Sequence, residues 1–300
     1  KNILLIIAML FLLAITISGC DSLINLSNQG GNTPTSSIIK AVWMYNIATI
    51  DNTATTDALK NMGINTVFLS VDDTLLPGGS SYSATYTDKV KDFITKANTN
   101  SISTHAMILE APTYTYTTNH TSALSHVQTV INFCKNNTAT AFSGIHIDVE
   151  PHALPEWTTT YTGTQEALMQ QYISLLSQIH DLIKGSSGLS SLNFSAAIAY
   201  WYNEKYLEGV LPSGSAANIA RYVDTMIPMA YATTLPVYNQ SSDEVAAGPA
   251  IVGIDASNYS TYASISREIT SLNANFAASA NYRGACVFKY DTLKALYDAQ

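Results

Sequence analysis

The stretch Ser143-Gly144-Ile145-His146-Ile147-Asp148-Val149-Glu150-Pro151 decides how this sequence folds. Apolar residues stand at positions 145, 147 and 149, and ionisable residues stand between them. Because successive side chains of a β-strand point to opposite faces, His146, Asp148 and Glu150 share one face, and His152 follows if the strand continues. Charged side chains are rarely buried without a partner, so this row predicts a functional site at the end of a buried strand.

Strand-like and helix-like segments alternate from Ile38 to the end of the sequence. Most strand candidates are continuous apolar runs, which are typical of a parallel sheet covered on both faces. The predicted strands are Ile38–Tyr45, Thr66–Val71, Ile102–Leu109, Gly144–Val149, Leu192–Tyr200, Thr225–Ala230, Ala250–Ile254 and Ala285–Tyr290. The predicted helices are Thr56–Met62, Asp88–Ala97, Ser122–Lys135, Gln165–Lys184, Ala216–Tyr222, Ser241–Ala247, Tyr262–Ser271 and Thr292–Ala299.

Eight strands, each followed by a helix, predict an α/β fold consisting of a single (β/α)8 TIM barrel over residues 38–300. A doubly wound open sheet is the alternative. Against it, the first strand-to-helix turn, residues 45–50, contains no glycine and therefore no GxGxxG fingerprint. The stretch around Asp148 is then the fourth strand, and the active sites of such barrels form at the carboxyl ends of the strands.

The first 37 residues have the composition of a targeting signal and a tether. An apolar run over residues 3–17 ends in Ile17-Ser18-Gly19-Cys20, which resembles the lipobox of bacterial lipoproteins. We therefore expect a signal peptide over residues 1–20, a lipid on Cys20 and a flexible linker over residues 21–37. An uncleaved anchor is the alternative. The expected location is a bacterial cell membrane, with the protein lipid-anchored in the bilayer and facing the periplasm or the exterior.

The charge of the chain excludes one class of partner. Lys and Arg number 14 against 22 Asp and Glu, which gives a net charge of −8. Nucleic-acid binding needs a basic surface, so we expect no nucleic-acid partner. The remaining cysteines, Cys134 and Cys286, are predicted to be buried free thiols, although an export route also permits a disulfide.

The acidic pair on the fourth strand suggests acid catalysis. Residues two apart on a strand have Cα atoms about 6.6 Å apart, so their carboxyl groups couple electrostatically. One pKa is then pushed upward, because like charges that close cannot both ionise freely. A carboxylic acid still protonated near neutral pH is what cleavage of a glycosidic bond requires. We assign Glu150 as the acid and Asp148 as its partner.

Two other interpretations of the same row stay open. Its His, Asp and Glu residues are all potential metal ligands. However, His146 and His152 would lie about 20 Å apart along an extended strand, so one ion cannot bind the whole row. The other interpretation is a hydrogen-bonded network inside the barrel without chemistry. We expect neither a metal nor a cofactor.

The stretch resembles the family 18 glycoside hydrolases, chitinase-like barrels whose fourth strand carries Asp-Gly-x-Asp-x-Asp-x-Glu. Gly144, Asp148 and Glu150 match this motif, whereas Ser143 and His146 replace its first two aspartates. The family's sixth strand ends in Met-x-Tyr-Asp. Here Met229 and Tyr231 match, and Ala232 replaces the aspartate. The family's eighth strand carries a Trp, whose place would be taken here by Phe288 or Tyr290.

The resemblance implies a substrate-assisted, retaining mechanism. Glu150 would protonate the leaving group, the substrate's N-acetyl oxygen would attack the anomeric carbon, and Asp148 and Tyr231 would hold the acetamide. The substrate would be an oligosaccharide or polysaccharide, with N-acetylhexosamine as the implied sugar. Asp255 and Asp291 are the nearest alternatives for an ordinary carboxylate nucleophile, and either would indicate a different glycosidase family.

Aromatic and polar residues near other strand ends complete the predicted site. Sugars stack on aromatic rings, so Trp43, Tyr45 and Trp201 are candidate walls, with helix-to-barrel packing as the alternative. Glu110 follows the third strand and His152 follows Pro151. The predicted substrate-binding residues are Trp43, Tyr45, Glu110, His146, His152, Trp201, Met229 and Tyr290.

Two further functional hypotheses remain. The replaced aspartates also fit a carbohydrate-binding lipoprotein that has lost catalysis on the same barrel. A metal-dependent hydrolase is the third hypothesis. In each case we expect a monomer.

Overall fold

The computed structural model describes residues 38–75 and 84–300. The predicted signal peptide, the lipid attachment at Cys20 and the tether over residues 21–37 lie outside the described residues. None of the helices in the described part of the chain is long and apolar enough to cross a membrane.

Eight parallel strands close into a barrel in sequence order, and the last strand pairs with the first. The predicted (β/α)8 fold is therefore confirmed. The strands are β1 (Ile39–Met44), β2 (Thr66–Ser70), β3 (Ser103–Ile108), β4 (Gly144–Ile147), β5 (Asn193–Ala199), β6 (Thr225–Met229), β7 (Ala250–Asp255) and β8 (Tyr282–Phe288).

Helices alternate with the strands of the barrel. They are α1 (Asn52–Asn61), α2 (Asp72–Leu75), α3 (Ala84–Thr99), α4 (His120–Asn136), α5 (Gly163–Lys184), α6 (Tyr202–Leu207), α7 (Ala216–Ile219), α8 (Val237–Ala247), α9 (Tyr262–Asn275) and α10 (Tyr290–Asp298). The sequence analysis did not predict α2 and α6. It missed α6 because Asn203, Glu204 and Lys205 carry no apolar stripe.

Local sequence determines where helix α5 begins and ends. Thr162 and Gln165 form the capping box at the start of α5, with the Thr162 N–H donating to Gln165 Oε1 at 2.8 Å. One buried stripe of α5 packs in the helix–sheet layer of the core, and Gly185 follows as the C-cap. The helix begins at Gly163, two residues earlier than predicted.

Strand β4 is shorter than predicted and ends at Ile147. Beyond it the chain turns, Glu150 has φ −112° and ψ 87°, and a 3-10 turn covers Pro151–Ala153. Asp148 and Glu150 therefore lie on the exit from the barrel, just past the last paired residue. A Cβ at Gly144, where the strand begins, would lie 2.5 Å from His105 Nδ1 and 2.7 Å from the Asn193 carbonyl oxygen, so glycine is needed there.

Two hydrophobic clusters form, because alternate strand side chains face the barrel interior and the helices. The interior cluster consists of Ala41, Trp43, Phe68, Met107, Ile227, Ile251 and Cys286. The larger cluster fills the layer between the strands and the helices. Cys134 belongs to that outer layer, and both it and Cys286 are buried and unpaired, as predicted.

Helix α8 contains a buried carboxylic acid outside the predicted site. The Glu244 side chain is 1% exposed, and burial raises its pKa to about 8. The unfolded chain has an ordinary pKa of about 4.3 at this position, so the folded state binds the proton more tightly. Deprotonation therefore costs folding free energy as pH rises from about 4.3 through 8.

We expect Glu244→Gln to remove this pH-dependent loss of stability. Between pH 5 and pH 9 the variant should gain at least about 1 kcal/mol over wild type, or about 2–4 °C in Tm. Thermal unfolding followed by circular dichroism measures the difference. Asp291→Asn, an exposed carboxylate on α10, is the matched control. Parallel pH curves for wild type and Glu244→Gln would contradict the assignment.

Candidate active site

Two carboxyl groups lie at the mouth of the barrel where the chain leaves β4. Asp148 and Glu150 are both half-buried, and Oδ1 of Asp148 is fully buried with no hydrogen-bond partner among the described atoms. Burial, and then the charge of Glu150, raise the pKa of Asp148 to about 7. Burial also raises the pKa of Glu150. The pair therefore retains a proton near neutral pH, and its titration belongs to both groups.

Two tyrosines from other strand ends approach this pair. Tyr45 follows β1 and Tyr231 follows β6. Burial raises the pKa of both phenols, and the nearby charge of Asp148 raises each further. Glu110 and Glu150 act on Tyr45 in the same direction. Both hydroxyl groups therefore stay protonated, at positions close enough to feel the charge of Asp148.

Phe288 is the last residue of β8. The sequence analysis named Phe288 and Tyr290 as the two alternatives for an aromatic side chain at this strand end. Its ring centroid lies 6.2 Å from both Trp43 and Tyr45 and 5.8 Å from Tyr231. The prediction that Tyr290 contacts substrate was wrong. β8 ends at Phe288 and Tyr290 begins α10, which turns its side chain into the buried layer between strands and helices.

A hydrogen-bonded chain of neutral side chains supports the site from inside the barrel. The indole N–H of Trp43 donates to His146 Nε2 at 3.0 Å, and His146 Nδ1 lies 3.0 Å from Ser195 Oγ. Because an indole N–H only donates, Nε2 must accept, so the neutral ring carries its proton on Nδ1. Burial lowers the pKa of His146 to about 3, which keeps the ring neutral.

This placement changes the interpretation of Trp43 and His146. Their side chains are 1% and 0% exposed, so neither presents a surface to solvent. We predicted both as substrate-binding residues, but they lie in the barrel interior. Their contribution to the site is a buried, uncharged and hydrogen-bonded interior beneath the mouth of the barrel.

Glu110 is fixed at the end of β3 by residues from β2 and α2. Ser70 Oγ donates to Glu110 Oε1 at 2.5 Å. The Asp72 carboxylate accepts the backbone N–H groups of Leu109 and Glu110, each at 3.2 Å. Glu110 is half-buried and close enough to act on Tyr45, so the structure brings it to the same mouth as the pair.

The loop after β6 is held by residues that the sequence analysis missed. Met229 is half-buried and ends the strand. Gln240 of α8 accepts the Ala232 N–H at 3.0 Å and donates to the Ala232 carbonyl oxygen at 2.8 Å. Asn258 Nδ2 donates to the Tyr231 carbonyl oxygen at 3.0 Å. These contacts fix the backbone at Tyr231, and nothing local in the sequence indicated them.

A second group of aromatic side chains lies beyond Glu150, on the loops after β4 and β5. His152 Nδ1 is 2.8 Å from the Tyr202 hydroxyl oxygen, and its ring centroid is 5.5 Å from that of Trp201. Trp157 lies 6.0 Å from Trp201 between ring centroids. His152, Trp157 and Trp201 line a cavity of about 620 Å³. The sequence analysis identified His152 and Trp201 but missed Trp157, which stands in an irregular loop.

The two aspartates considered as ordinary nucleophiles are placed differently from the pair. Asp255 ends β7 and its side chain accepts the Ser257 N–H at 2.8 Å, which caps a turn. Asp291 is exposed in the first turn of α10. Among residues 38–75 and 84–300, no group of three or more His, Cys, Asp and Glu side chains is arranged to hold a metal ion.

Comparison by sequence finds no matching protein-family model and no matching curated protein. Solved structures do share the fold. A GH18 chitinase from Pseudoalteromonas aurantia superposes with a TM-score of 0.59 at 13% identity, covering 87% of this chain and all of the chitinase (100%). An endo-1,4-β-D-mannanase from Thermotoga petrophila RKU-1 gives 0.56 at 12% identity, covering 84% and 88%.

An exo-β-1,4-mannosidase from Opitutaceae bacterium strain TAV5 gives a TM-score of 0.60 at 12% identity. The match covers 84% of this chain and 51% of the mannosidase, so this chain spans about half the length of that protein. The fold is therefore that of the TIM-barrel glycoside hydrolases, and its structural neighbours include GH18 chitinases.

The coupling between the two carboxyl groups predicts a specific titration. In wild type the carboxyl group of Asp148 should titrate near pH 7, and in Glu150→Gln its pKa should fall, because the like charge is removed while burial remains. The ¹³C chemical shift of the Asp148 carboxyl carbon, followed by NMR against pH, measures this. Asp291→Asn is the control. An Asp148 titration near pH 4 in wild type would contradict the buried, coupled pair.

Proposed function

We propose that this protein is a glycoside hydrolase that cleaves an N-acetylhexosamine-containing glycan with Glu150 as the general acid. The observation that carries the proposal is the pair formed by Asp148 and Glu150 at the barrel mouth. Its pKa values are raised, and Tyr45 and Tyr231, whose hydroxyl groups stay protonated, are close enough to feel the charge of Asp148. A buried proton next to neutral donors suits attack on a neutral sugar acetal.

The mechanism assigns each group a role. Glu150 gives the proton that the pair shares to the glycosidic oxygen as the C–O bond breaks, which leaves Asp148 ionised, and the acetamido oxygen of the same sugar attacks the anomeric carbon. Asp148 accepts the acetamido N–H and stabilises the positive charge that develops, while Tyr231 donates to the acetamido oxygen. Water then opens the cyclic intermediate at the anomeric carbon, and its proton returns to Glu150. This is the substrate-assisted exception to the two-carboxylate rule.

Three features favour this route over an ordinary nucleophile. The Asp255 carboxylate is used to cap a turn, and Asp291 is exposed on α10. The buried Oδ1 of Asp148 offers an acceptor to an amide N–H.

The pair loses its shared proton above pH about 7, so kcat/KM should fall as pH rises through that value.

The direct test is turnover by wild type and by Glu150→Gln. Wild type should release reducing sugar from oligomers of β-1,4-linked N-acetylglucosamine in a glycan panel that also contains β-1,4-mannan and xylan oligomers. Glu150→Gln should lower kcat by at least about 10²-fold, because the leaving oxygen then lacks its proton donor. Asp291→Asn, an exposed carboxylate outside the mouth, is the matched control and should keep wild-type activity.

A second candidate function is carbohydrate binding without cleavage. It is favoured by His146 and Ala232, which stand where the family motifs carry aspartates. Binding of the same oligomers to wild type, with no product formed from any glycan of the panel, would replace the hydrolase with this function. Hydrolysis of the mannan or xylan oligomers alone would instead contradict the substrate class.

We also propose that the protein acts outside the cytoplasm as a monomer and is tethered to the membrane by a lipid on Cys20. The signal peptide would be cleaved directly before Cys20, which would remain as the lipid-bearing residue. Residues 21–37 would separate the membrane from the catalytic domain over residues 38–300.

Cys20→Ala should abolish lipid attachment, because the thiol that receives the lipid is gone. In a bacterial host, radiolabelled palmitate should enter wild type and not the variant, and the wild type should sediment with the membrane fraction. Cys134→Ala, which removes a buried thiol, is the control. Equal palmitate labelling of wild type and Cys20→Ala would contradict the proposed anchor.

A further inference from the structure

The aromatic cavity beyond Glu150, here called the aromatic pocket, is lined by His152, Trp157, Tyr161, Trp201, Lys205 and Glu208. We infer that it binds an uncharged sugar on the leaving-group side of the bond that Glu150 cleaves. The inference rests on the proposed function and names a binding site that the mechanism itself does not use.

The position of Glu150 between two groups of side chains gives the first argument. Asp148 acts electrostatically on Tyr45 and Tyr231, on the side of the barrel centre. Glu150 also acts on Tyr45, and in addition it acts on Tyr202, whose hydroxyl group contacts His152 of the aromatic pocket. A sugar held by Asp148 and Tyr231 therefore presents its glycosidic oxygen to Glu150, and the sugar across that oxygen lies toward the pocket.

The shape and surface of the aromatic pocket give the second argument. Its volume of about 620 Å³ lies within the roughly 300–1,000 Å³ typical of ligand pockets. Trp157, Tyr161 and Trp201 are half-buried, so each ring keeps an accessible part. The Trp157 and Trp201 rings meet at 59°, and the Trp157 and Tyr161 rings at 83°, which forms a concave wall. Such rings bind the apolar C–H faces of sugars.

The charge of the lining determines the kind of sugar. Burial lowers the pKa of His152 to about 4, so its ring is neutral in the range where the protein would work. Lys205 Nζ lies 2.8 Å from Glu208 Oε1 and 3.4 Å from Glu204 Oε1, so two carboxylates more than compensate its charge. No uncompensated cation is left among these groups to attract a uronic acid or a sulfated sugar. The lining therefore favours a neutral pyranose, including an N-acetylated one.

A leaving-group sugar in this pocket has a consequence for the substrate. The glycan must extend on both sides of Glu150, so the protein should act on internal bonds of a chain better than on a glycoside with a small leaving group. Binding energy gained in the aromatic pocket would then support catalysis at the neighbouring bond.

Trp157→Ala tests the inference by binding and by kinetics. In the Glu150→Gln background, titration calorimetry with the hexamer of β-1,4-linked N-acetylglucosamine should give a Kd about tenfold higher when Trp157 is removed. In the active protein, kcat/KM for the hexamer should fall at least about tenfold more than kcat/KM for the glycosyl fluoride of the disaccharide. The fluoride leaving group is too small to reach the pocket.

Two further variants separate loss of binding from loss of folding. Trp157→Phe keeps an aromatic ring and should recover most of the affinity. Tyr206→Ala removes a ring that is 42% exposed on α6 and does not line the pocket, so it should bind the hexamer as its parent does.

The possible results distinguish the inference from the proposed function. Hexamer affinity that does not change in Trp157→Ala, equal kinetic losses on both substrates, or no binding of the hexamer to Glu150→Gln would each overturn the pocket assignment. If wild type hydrolyses the hexamer and Trp157→Ala has no effect, the hydrolase proposal is kept and the pocket assignment is rejected. If hexamer binding depends on Trp157 but wild type does not hydrolyse the hexamer, the pocket assignment is kept and the hydrolase proposal is rejected.

Discussion

The site depends on the burial of two neighbouring carboxyl groups at the exit from β4. Asp148 and Glu150 are two residues apart and half-buried. Burial raises the pKa of both groups, and the charge of Glu150 raises that of Asp148 further. In such surroundings both groups cannot be ionised without a large cost in free energy, so the pair holds a proton near neutral pH. The fold maintains this costly arrangement because the barrel closes around it. The last paired residue of β4 lies directly before the pair.

The barrel interior keeps further charge away from this pair. The family 18 motif carries an aspartate at the position of His146. Here the His146 ring is neutral, and its two nitrogens form hydrogen bonds with Trp43 and Ser195. The raised pKa of Asp148 therefore comes from burial and Glu150, with no carboxylate at position 146 contributing. A neutral hydrogen-bonded chain stands at this position, and the pair at the mouth still holds a proton near neutral pH. The departure from the motif at position 146 is therefore compatible with a protonated pair at the mouth of the barrel.

The sequence was sufficient for the barrel because strand periodicity and apolar runs are local signals. It also identified the row from His146 to Glu150, since alternation alone puts these residues on one face. It failed where an element's end determines which way a side chain points. Tyr290 was assigned to β8, although the strand ends at Phe288 and the helix turns Tyr290 away. Trp157 and Gln240 were not detected, because their roles arise from contacts between loops distant in sequence.

The most direct test of the central claim is the stereochemistry of cleavage. Proton NMR during hydrolysis of a β-1,4-linked N-acetylglucosamine oligomer identifies the anomer that forms first. Attack by the substrate's acetamido oxygen, with water arriving from the face that the leaving group vacates, predicts the β anomer first and the α anomer only later by mutarotation. Initial formation of the α anomer would require a carboxylate base acting on water from the opposite face, and would contradict the account.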